Sequence, residues 1–143
     1  MSQKSIVDSD FGLLTRSAVG WVGSSPFANG TVTVIFGVAT LATDLTLRAL
    51  ARTQLERLSV LDRVARDYAQ AAVPHLRLGR LASVAFLYPH RDWVQRLRAE
   101  HIAPTATLDA AHPISSLSYE PVSDRNVLDV TFDGATPLEA DYH

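Results

Sequence analysis

A chain of 143 residues with 47% hydrophobic content is long enough for one domain with a core of its own. It has no cysteine, which excludes a disulfide framework, a thiol nucleophile and the cysteine-based zinc sites. The formal net charge of −2 hides an uneven distribution: residues 48–98 hold ten arginines against four acids, and residues 99–143 hold eight acids against Arg125 alone. That asymmetry predicts a basic surface for phosphate or another subunit, offset in part by an acidic tail.

Residues 1–10 show no basic segment leading into an apolar core, so no secretory signal is expected, and they are too acidic for a transit peptide. Phe11, Leu14, Ala18 and Val22 follow at helical spacing, with Trp21 beside the break Gly23-Ser-Ser-Pro26. Residues 11–22 read as a short amphipathic helix at a membrane surface, or else as a strand pairing with 31–38. Residues 1–25 thus make an N-terminal arm.

The segment 26–73 dominates the reading. Small and polar residues Gly30, Thr33, Gly37, Thr40, Asp44, Arg48, Arg52, Glu56, Ser59, Arg63, Arg66 and Gln70 recur at spacings of three and four, which predicts one helix over about 30–73, on the order of 60 Å long. Ser25 and Pro26 suit its start and Pro74 its end. From Ser17 to Thr43 no residue is charged, so the first half is expected to lie in lipid or protein, with Gly30, Thr33, Gly37 and Thr40 as a helix-packing face. The second half carries a basic face of Arg48, Arg52, Arg57, Arg63 and Arg66. Opposed to this, Asn29-Gly30 is a turn dipeptide and residues 31–36 are rich in β-branched side chains, which supports strands instead. The uncharged stretch is also short for a span, since about 20 mostly apolar residues are wanted.

Leu76 to Tyr88 reads as a mostly apolar helix of one to three turns, and His90 to Ile102 as an amphipathic one with Trp93, Val94, Leu97, His101 and Ile102 inside. After a loop from Thr105 to Pro113 the period changes to two: Leu117 and Tyr119, then Leu128, Val130 and Phe132, flank the turn 121–126 and predict a β-hairpin. Residues 135–143 form an extended acidic tail, so 105–143 is hairpin and tail.

Chemistry is thinly marked. His75, His90, His101, His112 and His143 include no pair four apart, and no His-Glu-x-x-His is present, so a helical metal site has no support. Gly23 to Thr31 lacks the lysine and glycine spacing of a phosphate loop, and no Gly-x-Ser-x-Gly elbow activates Ser24 or Ser25. Asn29-Gly-Thr31 fits a glycosylation sequon, which carries no weight without a secretory signal. Glu56, Asp62 and Asp67 interrupt the basic face and disfavour nucleic acid.

The expected fold is mainly α with a small C-terminal β-hairpin, one long helix and two shorter helices in 76–102. The alternative is a soluble α+β protein with strands at 18–23, 31–38, 114–119 and 127–132. The expected function is that of a non-catalytic accessory or structural subunit of a larger, membrane-bound multiprotein complex of the energy-transducing type. It would carry a transmembrane helix, with the bulk of the chain on the cytoplasmic or matrix side. Its partners would be other protein subunits and anionic lipid headgroups. No cofactor, metal or small-molecule substrate is implied. The alternative function is a soluble component of a particle such as a virion, with an enzyme of unreadable class more remote.

Overall fold

In the computed structural model, which describes residues 4–100, 108–121 and 127–143, eight strands join side by side in the order of the chain. They are β1 (Ser5–Asp8), β2 (Gly12–Ser17), β3 (Gly20–Phe27), β4 (Gly30–Phe36), β5 (Leu78–Leu87), β6 (Ile114–Pro121), β7 (Leu128–Asp133) and β8 (Thr136–Tyr142). Neighbours pair antiparallel except β4 and β5, which run parallel. A parallel pair cannot be closed by a tight turn, and the crossover consists of α1 (Leu45–Glu56) and α2 (Leu58–Ala72). Helix α3 (Arg91–Ala99) lies between β5 and β6 in the chain.

The single helix over 30–73 is not formed. Residues 30–36 are strand β4, with Val32, Val34 and Phe36 buried and Thr31 and Thr33 exposed. Five of the six residues from Thr31 to Phe36 are β-branched valine, threonine or isoleucine around this period-two pattern, and that outweighs the three-and-four spacing of the small residues. Helix begins only after Asp44, whose carboxylate accepts from the Leu47 amide at 3.0 Å. It is interrupted at Arg57, where φ −111° and ψ 21° end α1 and start α2. Pro74 does follow the end of α2. Among the described residues no helix is long and apolar enough to cross a membrane, which removes the transmembrane helix.

Other expectations change with it. From residue 4 on, the arm is β1, β2 and the start of β3, not a surface helix. Residues 78–87 are strand β5, because a sheet-centre strand buried along one face and half-buried on the other reads as a nearly continuous apolar run that periodicity cannot tell from a helix. Only α3 stands where a short helix was read, with Val94 and Leu97 buried, while His101, Ile102 and the loop start at Thr105 lie outside the described residues. Strands β6 and β7 occupy the hairpin region, whose turn at 122–126 is likewise outside them, and the acidic tail is strand β8. The chain is therefore mixed α and β, with sheet as its frame.

One face of the sheet makes the main core. Leu14, Trp21, Val32, Val34, Phe36, Val84, Phe86, Leu117, Tyr119, Val130 and Phe132 meet Leu47, Ala51, Leu58, Leu61, Ala65 and Ala69 of α1 and α2. A smaller cluster of Val94, Leu97, Leu108, Ile114 and Leu138, with Leu87 and Trp93 against it, sits apart. Since Leu87 follows the core residue Phe86 in β5 and pairs with Ile114, this cluster holds α3 on the opposite face, at one end of β5.

Candidate functional site

Each polar constellation on the helix side is closed on itself. Asp8, at the end of β1, accepts from the amides of Asp10 and Phe11 at 2.8 and 3.1 Å, which makes the β1–β2 turn. Its carboxylate also takes a two-pronged contact from Arg48 of α1 at 2.7 and 2.9 Å, and Arg48 reaches Asp10 at 2.7 Å. The Arg48 contact, opposed by burial and helped by the two amides, lowers the Asp8 carboxyl to about 2, and Arg48 is held protonated in return. Tyr88 donates to Asp44 and so ties the end of β5 to the start of α1. Buried Gln54 donates to Ser115 Oγ at 2.9 Å and to the Gly134 carbonyl at 2.7 Å. Tyr119 donates to Asp62 at 2.7 Å while Arg66 holds the same carboxylate at 3.1 Å and lies over the tyrosine ring; burial, then that bond, pushes the phenol well up. Among the described residues no buried side-chain nitrogen or oxygen lacks a partner. Groups satisfied in this way hold elements together.

One cluster has the residue types of a hydrolase. Ser118 donates to Asp129, and His143 Nε2 lies 2.8 Å from the other oxygen of the same carboxylate. The connectivity is wrong for nucleophile activation, which needs the imidazole between serine and carboxylate. Here Asp129 stands between them, and it raises the His143 pKa. Sequence spacing gave no sign of this cluster, since residues 118, 129 and 143 are brought together only by the pairing of β6, β7 and β8.

The other face of the sheet, away from α1 and α2, is chemically distinct. Pairing places Ser24, Thr33, Ser83, Ser118, Asp129 and Asp141 in one row across β3 to β8. Beside it runs a second row of Thr15, Val22, Ile35, Ala85, Ser116, Thr131 and Glu139. From β2 to β6 these rows hold no charged residue. At the N-terminal edge Val7 and Leu13 face each other across β1 and β2 and are 82% and 63% exposed. Helix α3 closes only the far end, where Trp93 Nε1 and the Arg96 guanidinium donate to Glu139 at 2.7 and 2.9 Å.

The residues singled out in the sequence scatter. Gly30 and Thr33 lie on β4, and their odd spacing puts them on opposite faces, so they share no packing stripe. Gly37 and Thr40 are in the following loop, where the Gly37 amide donates to the Phe86 carbonyl. The basic face is divided as well: Arg48 is buried in its ion pair, Arg66 is turned to Asp62 and the Gly79 carbonyl, and Arg52 is 3.5 Å from Asp10. Arg57 and Arg63 remain exposed on the outer side of the helices. Among the described residues no group of three or more His, Asp or Glu is placed to hold a metal ion. No protein family, characterised protein or solved structure matches the chain.

Proposed function

We propose that this chain is a non-catalytic component of a protein assembly, and that the open face of its sheet is the surface it gives to a partner subunit. The observation that carries the reading is the composition of that face: serine, threonine and small apolar residues from β2 to β6, with Val7 and Leu13 exposed beside them. Large exposed apolar side chains grouped together, rather than scattered singly, are a property of contact surfaces, and a neutral rim suits a partner that is itself uncharged there. The membrane placement rested on a helix over Gly30–Thr43, so the reading keeps the assembly without it. Anionic headgroups lose Arg48 and Arg66 as anchors because both are engaged by carboxylates of the chain, which favours protein as the partner class.

The test is affinity purification of the tagged chain from its native cell, wild type beside Thr33→Lys and Ile35→Lys. A partner that is lost with both variants and kept with Arg63→Glu, on the helix side, supports docking by the open face. Equal recovery with all four proteins removes it, and a substrate turned over by the isolated chain removes the non-catalytic reading.

A further inference from the structure

An open sheet has two edges, and here they are finished differently. At β8 the Tyr68 hydroxyl of α2 donates to the Leu138 carbonyl at 3.0 Å, the ladder slips between Thr131 and Phe132, Pro137 has no amide hydrogen, and Glu139 and Asp141 add carboxylates. Capping, irregularity, proline and charge are the means by which sheets refuse another strand. At β1 such protection is limited to its short length and Lys4. The Asp8 carboxylate is turned inward to Arg48, and Val7 is 82% exposed.

The free backbone groups of β1 can be assigned. The Arg16 amide donates to the Lys4 carbonyl at 2.8 Å, so Lys4 and Arg16 are a hydrogen-bonded pair, and by alternation Ile6 and Asp8 also turn their backbone groups toward β2. Ser5 and Val7 turn theirs away from the sheet. Among the described residues nothing pairs with β1 on that side.

We propose that β1 pairs antiparallel with β1 of a second copy about a two-fold axis at Ile6. This register matches Ser5 of one copy with Val7 of the other, twice, which satisfies both outward residues of each strand. Ile6 then meets its own counterpart in a non-hydrogen-bonded pair, where side chains come closest. Lys4 falls opposite Asp8 of the second copy, also in a non-hydrogen-bonded pair. The charge fits, because Asp8 and the part-exposed Asp10 share one close guanidinium, with Arg52 only 3.5 Å from Asp10, so an ammonium arriving at this edge meets negative charge. An isologous contact needs such self-complementarity, and a four-residue strand with Lys4 just before it and Asp8 at its end supplies it. The pairing concerns the sheet edge and stands whether or not the open face takes a partner.

Because the chain has no cysteine, one introduced thiol reports the register. Sedimentation velocity of the full chain over a dilution series is expected to show a monomer–dimer equilibrium. Ile6→Cys is expected to form a disulfide-linked dimer on mild oxidation, since Cα atoms of a non-hydrogen-bonded pair lie ~4.5 Å apart, within disulfide reach. Val7→Cys should cross-link far more slowly, its counterpart being diagonal at roughly 7–8 Å. Lys4→Glu, at an exposed position, should raise the dissociation constant about tenfold or more, equivalent to ~1.4 kcal/mol, and added salt should weaken the wild-type dimer. A wild type that stays monomeric, faster cross-linking of Val7→Cys than of Ile6→Cys, or an unchanged constant in Lys4→Glu each overturns the proposal.

Discussion

On β4, Val32, Val34 and Phe36 are buried while Thr31 and Thr33, their chain neighbours, are exposed, and the same split recurs from β2 to β7. Beneath α1 and α2 the side chains are large and apolar, and the polar ones are tied to a partner. On the open side, from β2 to β6, they are small, hydroxylated or aliphatic. The fold needs the first face to be as it is. It asks little of the second, so the composition there is free to answer to something else, and that is the physical ground for placing a partner on it.

Breaking the covered side should cost most at its charged clamp. Arg48→Met removes the guanidinium from between Asp8 and Asp10 and leaves a buried carboxylate without its counterion. A loss of ~3–5 kcal/mol in denaturant unfolding is expected, and a change below about 1 kcal/mol would show that the clamp does not hold β1–β2 to α1. The same pair sets an acid limit. The folded-state pKa of Asp8, at about 2, lies below the ordinary 3.8, so its stabilisation is fully present above 3.8 and is lost as pH falls through 2. The amount is roughly 2 kcal/mol, and it should vanish from the pH–stability profile of Asp8→Asn.

Two smaller substitutions sharpen the contrast within the covered side. Val34→Thr keeps the shape but puts a hydroxyl among Val84, Phe36 and their neighbours, and should cost ~1–3 kcal/mol. Tyr119→Phe deletes a bond to Asp62, whose carboxylate keeps Arg66, and should cost about 1 kcal/mol. It should also remove one of the phenols that ionise above the usual tyrosine range in an ultraviolet titration, beside Tyr68 and Tyr88, and a titration unaltered by the substitution would mean that Tyr119 is not the buried, hydrogen-bonded group described.

How much of this was legible varies by segment. The amphipathic run at 91–99 and the alternation at 117–119 and 128–132 carry their period in the residues that are buried, and they fold as helix and strand accordingly. The stripe from Gly30 to Gln70 misled because three-and-four spacing in small polar residues is not a burial signal: Thr33 and Gly37 need no common face, whereas Val32, Val34 and Phe36 do. Strand β5 was hidden for another reason. Its half-covered position between two neighbours makes both of its faces largely apolar, which erases the alternation. The open face could not be read from sequence at all, since Ser24, Thr33, Ser83 and Ser118 are aligned only by the register of four strands. Arg48 reads as a surface cation in the sequence because nothing local shows that Asp8, forty residues earlier, lies against it.

The smallest expected effect on stability is the most informative about the open face. Thr33→Val is the chemical reverse of Val34→Thr one residue away on the same strand. Thr33 is exposed, makes no hydrogen bond with its hydroxyl among the described residues, and sits in the row between Ser24 and Ser83. Valine matches its volume and β-propensity, so unfolding free energy should stay within about 0.5 kcal/mol of wild type, in contrast to its neighbour. A partner that reads the hydroxyl row should nevertheless notice the change, because a polar group on the partner's side would lose its hydrogen bond on docking. Recovery of a co-purifying subunit should therefore fall in Thr33→Val while thermal unfolding does not. If stability drops by as much as in Val34→Thr, the two faces are not distinct in the way described, and the open face is part of a core.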